Sequence, residues 1–353
     1  MADSLKTLVI DNADGPRGDV LDFLYAHKPG RSSLAAEKWA WRYVDSPAGK
    51  GIITVMVDAA VGERIVGHNA LALVPGACDC EPFTAAMSGG TLVDEAYRSR
   101  GVFIRIRTAE DEVVRTRSLP VLTTLPNRLA VPGYLLTRYR HHQQFEIAVK
   151  ALSLIRPEAV LRPASFARQA ALRLVGSALR LATTRESVDG LRVEPLAQFG
   201  EETDALWRQV GRKGYLGICK DAAYLRWRYG RRPDTATAAC LGWVNDEPRV
   251  LCAIEWQTEA PRTGWVAELI AGPGDEALAL ATLAQAERRA ANRGIRYLTA
   301  LADGVGVTGD VLNRLGYVRR EVRPFMIRIF QDHLAPQLAR PWRYSMGDFL
   351  TGS

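Results

Sequence analysis

A short phrase of three residues occurs twice in the chain, and it constrains the fold more than any other feature of the sequence. Residues 39–43 read Trp-Ala-Trp-Arg-Tyr and residues 225–229 read Leu-Arg-Trp-Arg-Tyr, so both copies end in Trp-Arg-Tyr. Each copy is followed by an apolar stretch, a polar turn and a second apolar stretch, with the turns at Gly62-Glu63 and at 245–248. Such runs are typical of two strands joined by a turn.

The order of the elements that follow also repeats. Residues 88–94 predict a strand that leads into a helix at 101–116, and residues 265–271 predict a strand that leads into a helix at 275–293. A repeated motif followed by the same order of elements indicates an internal duplication. The sequence therefore predicts an α/β protein made of two tandem copies of one fold, each a mixed, mostly antiparallel sheet flanked by helices.

The duplication divides the 353 residues into domains at 1–150 and 186–353, because a chain of this length exceeds one typical hydrophobic core. Between them, residues 162–185 follow a helical period with arginines concentrated on one face. We interpret 151–185 as a linker helix that packs on the domains. A basic amphipathic helix that touches a membrane surface is the alternative, although this segment has few large apolar anchors.

Composition disfavours several classes of protein. No stretch approaches the roughly 20 apolar residues that span a bilayer, and we expect no signal peptide from the first ten residues. The five cysteines lack metal-ligand spacing, so we expect free thiols, no metal and a reducing, cytoplasmic location. The net charge of +7 suits an anionic small molecule such as CoA or a nucleotide. A nucleic-acid partner is disfavoured because no basic helix is interleaved with aromatic residues.

One junction between a strand and a helix has the features of a phosphate site. Residues 90–103 run from the end of a strand through a loop containing Arg98, Arg100 and Gly101 into the predicted helix. A helix N-terminus offers unpaired N–H groups and partial positive charge, which suit a pyrophosphate. Glycine lets the backbone approach a phosphate closely. Taken alone, the junction is equally compatible with a structural turn.

These residues resemble the acyl-CoA signature Q/R-x-x-G-x-G/A of GCN5-related N-acetyltransferases. Arg98 occupies the first position and Gly101 the fourth, whereas Phe103 replaces the final small residue and would narrow the turn or reshape the acyl pocket. The resemblance implies that acetyl-CoA or another acyl-CoA is the cosubstrate. It also implies a set of CoA-binding residues along the strand, the loop and the next strand end: Leu92, Val93, Arg98, Ser99, Arg100, Gly101, Val102, Phe103 and Asn127.

A second feature of the same family follows downstream. Asn127, Ala130 and Tyr134 keep the family's spacing and Tyr139 keeps its aromatic ending, whereas Arg138 replaces a glycine. The resemblance implies that Tyr134 protonates the leaving CoA thiolate, a role that a phenol can fill. A half-buried packing tyrosine is the alternative interpretation.

The resemblance further implies direct attack of an amine on the thioester, without a covalent enzyme intermediate. Backbone groups of the strand residues 91–93 would contact the acyl carbonyl and stabilise the developing oxyanion. An amine with a lysine-like pKa near 10.4 needs a general base. The candidates are His68, Glu95 and His141, and we select His68 because it lies in an apolar strand whose alternation can direct it at the substrate. A structural histidine is the alternative.

The second copy departs from the family pattern twice. Its loop at 270–276 has no arginine, carries Asp275 and Glu276, and contains Pro273, which removes one backbone N–H donor. Leu312 stands where the first copy has Tyr134. We therefore expect the second copy to be a degenerate domain that keeps the scaffold and binds no acyl-CoA.

Together these features predict an acyl-CoA-dependent N-acyltransferase that acts on a primary amine of a small molecule, because two domains facing one cleft favour a concave site. An amino sugar, including a nucleotide-linked one, is one acceptor, and an amino acid, polyamine or antibiotic amine are others. A catalytically silent sensor of acyl-CoA or a metabolite is the alternative function. An aminoacyl transferase using aminoacyl-tRNA is disfavoured because no RNA-binding helical arm is recognisable. The sequence leaves the oligomeric state open.

Overall fold

The structure of the chain is a computed structural model. It describes residues 4–11, 14–15, 17–27, 35–152, 188–212, 214–259, 262–305 and 307–348. The linker helix predicted at 151–185 lies, from residue 153 onward, outside the described residues. Among the helices in the described ranges, none combines the length and the apolar character needed to cross a membrane.

The first half of the chain alternates strands and helices. Its strands are β1 (Leu5–Ile10), β2 (Ile52–Asp58), β3 (Arg64–Cys78), β4 (Glu81–Val93), β5 (Val121–Thr124) and β6 (Arg140–Ala151). Its helices are α1 (Gly18–His27), α2 (Ala35–Tyr43), α3 (Val102–Thr116) and α4 (Val131–Leu136).

The second half repeats this order with one added strand between its first two helices and one added helix after its last strand. Its strands are β7 (Arg192–Leu196), β8 (Leu216–Ile218), β9 (Thr235–Val244), β10 (Glu247–Gln257), β11 (Thr263–Ala271), β12 (Tyr297–Ala302) and β13 (Val318–Ile329). Its helices are α5 (Glu201–Val210), α6 (Ala222–Leu225), α7 (Glu276–Asn292), α8 (Thr308–Arg314) and α9 (Ala335–Leu338). The helices predicted at 101–116 and 275–293 are present as α3 and α7, each within one residue at either end.

Local sequence explains several of these elements. Strand β2 is an almost continuous apolar run and is buried along its whole length, as expected of a strand covered on both faces. Helix α3 buries Val102, Ile106 and Val114, which follow the helical period. The turn between β9 and β10 consists of Asn245 and Asp246, both left-handed with φ of 50° and 59°. Two such residues form the tight turn that matches the twist of a hairpin.

The described strands form one thirteen-stranded sheet in which the two halves lie side by side. The order is β1-β2-β3-β4-β5-β13-β6-β12-β11-β10-β9-β7, and β8 pairs separately with β3. Most neighbours are antiparallel, and the parallel pairs are β4 with β5 and β11 with β12. The predicted α/β class with a mixed, mostly antiparallel sheet is therefore confirmed.

The last strand of each half is exchanged with the other half. Strand β13, from the end of the chain, pairs with β5 of the first half through Met326↔Thr124. Strand β6, from the first half, pairs with β12 through Tyr297↔Ala151, and β6 and β13 pair with each other at the centre. Each half therefore completes its sheet with a strand of the other. The boundary predicted at residue 150 stays a prediction, and the hydrogen-bonded sheet runs across it.

The repeated Trp-Arg-Tyr phrase forms the contact between the two copies. Trp41 near the end of α2 and Trp227 in the helical turn after α6 stack with ring centroids 5.2 Å apart and an angle of 19°. Trp41 Nε1 donates to the carbonyl of Trp227 at 2.9 Å, and Trp227 Nε1 donates to the carbonyl of Trp41 at 2.8 Å. Equivalent residues of the two copies thus satisfy each other's buried backbone carbonyls.

The sheet separates the hydrophobic core into two sides. On one side, α1 and α2 of the first half and α5 and α6 of the second contribute to one continuous cluster that includes Phe23, Trp41, Leu206 and Leu225. On the other side, α3 and α4 pack with the first half, and α7 and α8 pack with the second. The shared cluster joins the halves, whereas the opposite face carries a separate core for each copy.

Loss of either tryptophan hydrogen bond should destabilise the whole chain. We expect Trp41→Phe to lower the free energy of unfolding by about 1–3 kcal/mol more than Trp39→Phe. The reason is that the substitution removes the hydrogen bond from Trp41 Nε1 to the buried carbonyl of Trp227. Trp39 is the matched control, since its buried Nε1 has no hydrogen-bond partner among the described residues. Urea unfolding followed by circular dichroism gives the comparison, and equal losses in the two variants would contradict it.

Candidate active site

Strands β4 and β5 separate after a short parallel contact, and this opening is the centre of the candidate site. Their pairing is confined to Ala85–Met87 against Val121–Thr123. Strand β5 then ends at Thr124, while β4 continues to Val93. Residues 89–93 of β4 are partly exposed, in contrast to the buried residues 85–88 before them. The opening therefore presents the backbone of β4 to a ligand.

A bulge in β4 lies within the opening. The pairing of β3 with β4 shifts between Ala70↔Gly89 and His68↔Leu92, so β4 carries one extra residue there. Gly90 has a φ of 68°, which glycine adopts without strain. Bulges re-aim backbone and side-chain groups next to active sites. Here the bulge turns the residues predicted to contact the acyl group, Leu92 and Val93, relative to the rest of the strand.

The predicted base His68 supports this bulge. Its Nδ1 lies 2.9 Å from the carbonyl oxygen of Gly90, and the side chain is buried. His68 alternates on β3 with Ala70 and Ala72, which belong to the cluster on the α1 and α2 side. The histidine is thus on the opposite face of the sheet from α3 and α4. The structure gives it a positioning contact, and its role as a base stays a prediction.

The other base candidates lie outside the opening. Glu95 is exposed in the loop after β4 and forms an ion pair with Arg98 at 3.0 Å. His141 is exposed on β6, which β13 separates from β5. Neither side chain reaches the bulge through a contact in the described structure.

The loop after β4 has the geometry expected of the phosphate-binding turn. Ser99 and Gly101 are both left-handed, with φ of 66° and 74°, and Gly101 directly precedes α3. Arg98 is 62% exposed, and the guanidinium of Arg100 lies over the ring of Tyr97 at 5.0 Å. The first N–H groups of α3 have no intrahelical acceptor, as at any helix start. The predicted residues are therefore brought together at one helix N-terminus.

Val102 and Phe103 face different parts of the core. Val102 is buried against β3, where a side chain at Gly67 would collide with it. Phe103 stacks edge-on against Tyr134 with centroids 5.2 Å apart, and its ring lies where a side chain on Gly133 would be. The bulky residue at the signature's last position thus packs α3 onto α4.

Tyr134 points its hydroxyl at the opened part of β4. The side chain is 3% exposed, and its hydroxyl lies 3.1 Å from Ser88 Oγ and 3.2 Å from Thr91 Oγ1. Thr91 belongs to the bulge, so the phenol sits beside the backbone predicted to hold the acyl group. Asn127 lies at the start of the same segment and accepts a hydrogen bond from the N–H of Ala130 at 2.9 Å, which fixes the turn into α4.

Arg138 takes over the conformation of the glycine that it replaces. Its φ is 66°, in the left-handed region that favours glycine. Tyr139 follows and is buried beside Tyr134, with ring centroids 4.9 Å apart. The turn after α4 is therefore preserved at the cost of a strained arginine backbone.

A buried polar network beneath the opening was missed by sequence reasoning. Arg107 and Glu110 of α3 are completely buried and form an ion pair at 2.6 Å. Arg107 donates to Ser88 Oγ at 2.9 Å and to the hydroxyl of Tyr139, and Asn69 donates to Glu110 at 2.7 Å. Burial alone lowers the pKa of Arg107, but the facing Glu110 carboxylate raises it overall, so the arginine stays charged.

The network fixes the groups that orient Tyr134. Ser88 contacts both Arg107 and the phenol, so the charged pair acts on the candidate proton donor through one hydroxyl. A charged pair three residues apart on a helix is usually solvated, which explains why the sequence pattern pointed elsewhere. The only sequence signal is that both residues lie within the apolar period of α3.

The corresponding loop of the second half is organised differently. Asp275 precedes α7 and forms an ion pair with Arg249 at 2.6 Å, and Glu276 accepts from the N–H of Gly274 at 3.3 Å. Leu312 of α8 is buried in the apolar core. Acidic groups thus occupy the helix N-terminus where the first half has arginines. The absence of acyl-CoA binding by this half stays a prediction.

Comparisons with known proteins locate the fold. No family model and no curated protein sequence matches the chain. A tandem GNAT protein from the clavulanic acid biosynthesis pathway is 15% identical, with a TM-score of 0.58, and the match covers 92% of this chain and 98% of that one. GNAT abbreviates GCN5-related N-acetyltransferase. This chain has the tandem GNAT fold. The duplication and the resemblance predicted from the sequence are therefore confirmed at the level of fold.

Two further solved structures agree with this fold. A probable N-acyltransferase from Enterococcus faecalis V583 is 9% identical, with a TM-score of 0.61. The match covers 92% of this chain and 72% of that one. A GCN5-related N-acetyltransferase from Anabaena variabilis is 12% identical, with a TM-score of 0.58. The match covers 92% of this chain and 73% of that one. Among the described residues of this chain, no group of three His, Cys, Asp or Glu side chains could hold a metal ion.

The free energy of unfolding should depend on the buried ion pair between Arg107 and Glu110. Arg107→Met should lower the free energy of unfolding by about 3–5 kcal/mol, because Glu110 is left in the core without its cationic partner. The double variant Arg107→Met/Glu110→Leu should recover much of this loss, since no unpaired charge remains. Denaturant titration of Arg107→Met, Glu110→Leu and the double variant tests the coupling. A double variant as unstable as the sum of two single variants would show that the pair does not act as a unit.

Proposed function

We propose that this protein is an acyl-CoA-dependent N-acyltransferase that binds acyl-CoA in its first half and transfers the acyl group to a primary amine of a small molecule. One observation carries the proposal: the hydroxyl of Tyr134 lies beside the bulged, opened segment of β4. The loop with Arg98 and Gly101 leads directly into the N-terminus of helix α3. The proposal is supported by the proximity of Tyr134, the partly exposed residues 89–93 of β4 and the turn with Arg98 and Gly101 within one half.

The residues present fit an acyl-CoA cosubstrate. Exposed Arg98 and Arg100 carry positive charge beside the first N–H groups of α3, which suits a pyrophosphate. Residues 89–93 are partly exposed and continue beyond the pairing with β5, which suits the extended amide-containing arm of CoA. Phe103 limits the space between α3 and α4, so the arm would run along β4 rather than between the two helices.

The proposed reaction proceeds by direct attack. The neutral amine attacks the acyl carbonyl carbon, the carbon–sulfur bond breaks, and one proton passes from the amine to a base. Tyr134 donates a proton to the departing thiolate, which balances the reaction. His68 is the proposed base, since it lies at the same bulge on the opposite face of the sheet. Backbone N–H groups of Leu92 and Val93 would stabilise the oxyanion.

The acceptor is proposed as an amino sugar, including a nucleotide-linked one, or another small amine such as an amino acid or polyamine. The location is proposed as the cytoplasm, which suits the free cysteines found among the described residues.

A silent acyl-CoA or metabolite sensor is the second candidate function. The packing of Phe103 against Gly133 and Tyr134 favours it, because this contact fills space next to the proposed donor. A thiol-release assay with acetyl-CoA and a panel of amines separates the two. Release with any amine supports the transferase, whereas tight CoA binding without turnover supports the sensor.

Substitutions of Gly101 and Arg98 in the loop should weaken CoA binding to different extents. A side chain added at Gly101 meets nothing within 4 Å, yet φ is 74°. Gly101→Ala and Gly101→Val therefore both strain the left-handed backbone, Val more because it is β-branched, and Val also adds more bulk at the pyrophosphate position. We expect Val to abolish CoA binding and Ala to weaken it less, while Arg98→Ala costs about 1–3 kcal/mol as a lost charge-assisted hydrogen bond. Calorimetry showing wild-type affinity in a folded Gly101→Val variant would refute this placement.

Loss of the phenol should affect the chemical step. Tyr134→Phe should reduce turnover by roughly 10²–10⁴-fold, the typical contribution of a general acid, and leave CoA affinity near that of the wild type. Steady-state kinetics and CoA titration of the same preparation provide the test. Turnover at the wild-type rate would assign Tyr134 to packing.

A further inference from the structure

A cavity lies at the opening between β11 and β12, the second-half counterpart of the opening between β4 and β5. It is lined by residues of β11, by the end of β12, by α5 and by the C-terminal segment 343–346. Its volume is about 50 Å³, several times the roughly 10–15 Å³ that one water needs. The cavity therefore has room for a ligand of a few heavy atoms.

A buried cluster of charges forms one wall of the cavity. Lys220 donates to Glu268 Oε1 at 2.6 Å, to Ser345 Oγ at 3.1 Å and to Asp348. These three contacts use the three donors of its ammonium group. One buried cation thus faces two buried carboxyl groups, so the triad holds more acidic groups than cations.

Glu268 has an acceptor atom left for a ligand. Tyr229, Ser345 and Lys220 all donate to its Oε1, and among the described residues no hydrogen bond falls on Oε2. The side chain is 1% exposed and lines the cavity. Burial raises the pKa of this carboxyl, so a cationic partner or a proton would be favoured there.

The cavity also contains a cation with an unsatisfied donor. Arg343 lines it, and the buried Nε of this side chain has no hydrogen-bond partner among the residues the structure describes. Asp303, also in the lining, accepts from the N–H groups of Val305 at 2.9 Å and Tyr344 at 3.1 Å. Asp303 thereby fixes the C-terminal segment that carries Arg343. An anionic group on a ligand would satisfy the guanidinium.

We propose that this cavity binds a small zwitterion, with its primary ammonium at Glu268 and its carboxylate at Arg343. The site lies in the second half and is separate from the proposed acyl-CoA site in the first, so it does not depend on acyl transfer. The ligand class is that of a short amino acid.

The position of Glu268 distinguishes this site from an acyl-transfer site. Strand β11 has a bulge like that of β4, and Glu268 is the first residue after it to pair with β10, as Leu92 is on β4 with β3. A carboxylate there would oppose a developing oxyanion, whereas it attracts an ammonium group. The second half therefore has a similar opening, with a carboxyl group that suits an ammonium ligand in place of an acyl group.

Calorimetry on the full chain without CoA tests the proposal. The probes are glycine and β-alanine as zwitterions, ethylamine as the amine alone and propionate as the carboxylate alone. We expect at least one zwitterion to bind at least tenfold more tightly than ethylamine and propionate, which corresponds to ~1.4 kcal/mol. Saturating CoA should leave this affinity unchanged, because the two sites lie in different halves.

Variants identify the binding groups. Glu268→Gln and Arg343→Met should each weaken zwitterion binding at least tenfold, while Glu247→Gln, which alters an exposed carboxyl on β10, should behave as the wild type. If Glu268→Gln fails to fold, the Arg343→Met variant and the wild-type probe series decide. No heat from either zwitterion at millimolar concentration, equal binding of ethylamine or propionate, unchanged affinity in both folded variants, or displacement by CoA would overturn the proposal.

Discussion

The stacked pair of Trp41 and Trp227 is the interaction on which the arrangement of the two copies depends. Each indole donates a hydrogen bond to the backbone carbonyl of the other tryptophan. Equivalent residues of the two copies therefore make the same contact in both directions. Beside the pair, Arg228 is fully buried against Glu255 and lies over the ring of Trp41 at 5.5 Å. Large flat side chains and paired charges at one contact leave little freedom in how the copies meet. The exchange of β6 and β13 then makes this contact part of a continuous sheet.

A shared scaffold allows the two copies to differ where ligands would bind. Beneath the opening of the first half lie Arg107 and Glu110, a balanced pair that supports a phenol. In the second half the buried groups are one lysine and two carboxylates beside a cavity. Both sets are buried, so changing their charge is costly. The division of labour proposed for the two halves follows from this difference in charge.

Sequence patterns predicted the elements better than their pairing. The repeated phrase, the order of strands and helices, and the starts of α3 and α7 could be read locally because they depend on short-range periodicity and turns. The exchange of β6 and β13 could not, since strand order depends on contacts between distant residues. The strand-to-helix loop from Arg98 to Gly101 also depends on local pattern, whereas the functional position of Tyr134 is implied only by the family resemblance. The Arg107–Glu110 pair resembled a solvated helix face, and the cavity assembles side chains from 207 to 346 that no local motif connects.

A crystal structure of the full chain with CoA, together with the binding stoichiometry in solution, tests the proposed acyl-CoA site most directly. We expect one CoA per chain, with its pyrophosphate at residues 98–103 and its pantetheine arm along the opened part of β4. A CoA molecule at residues 270–276, or two CoA molecules per chain, would contradict this expectation and make the second half an acyl-CoA site.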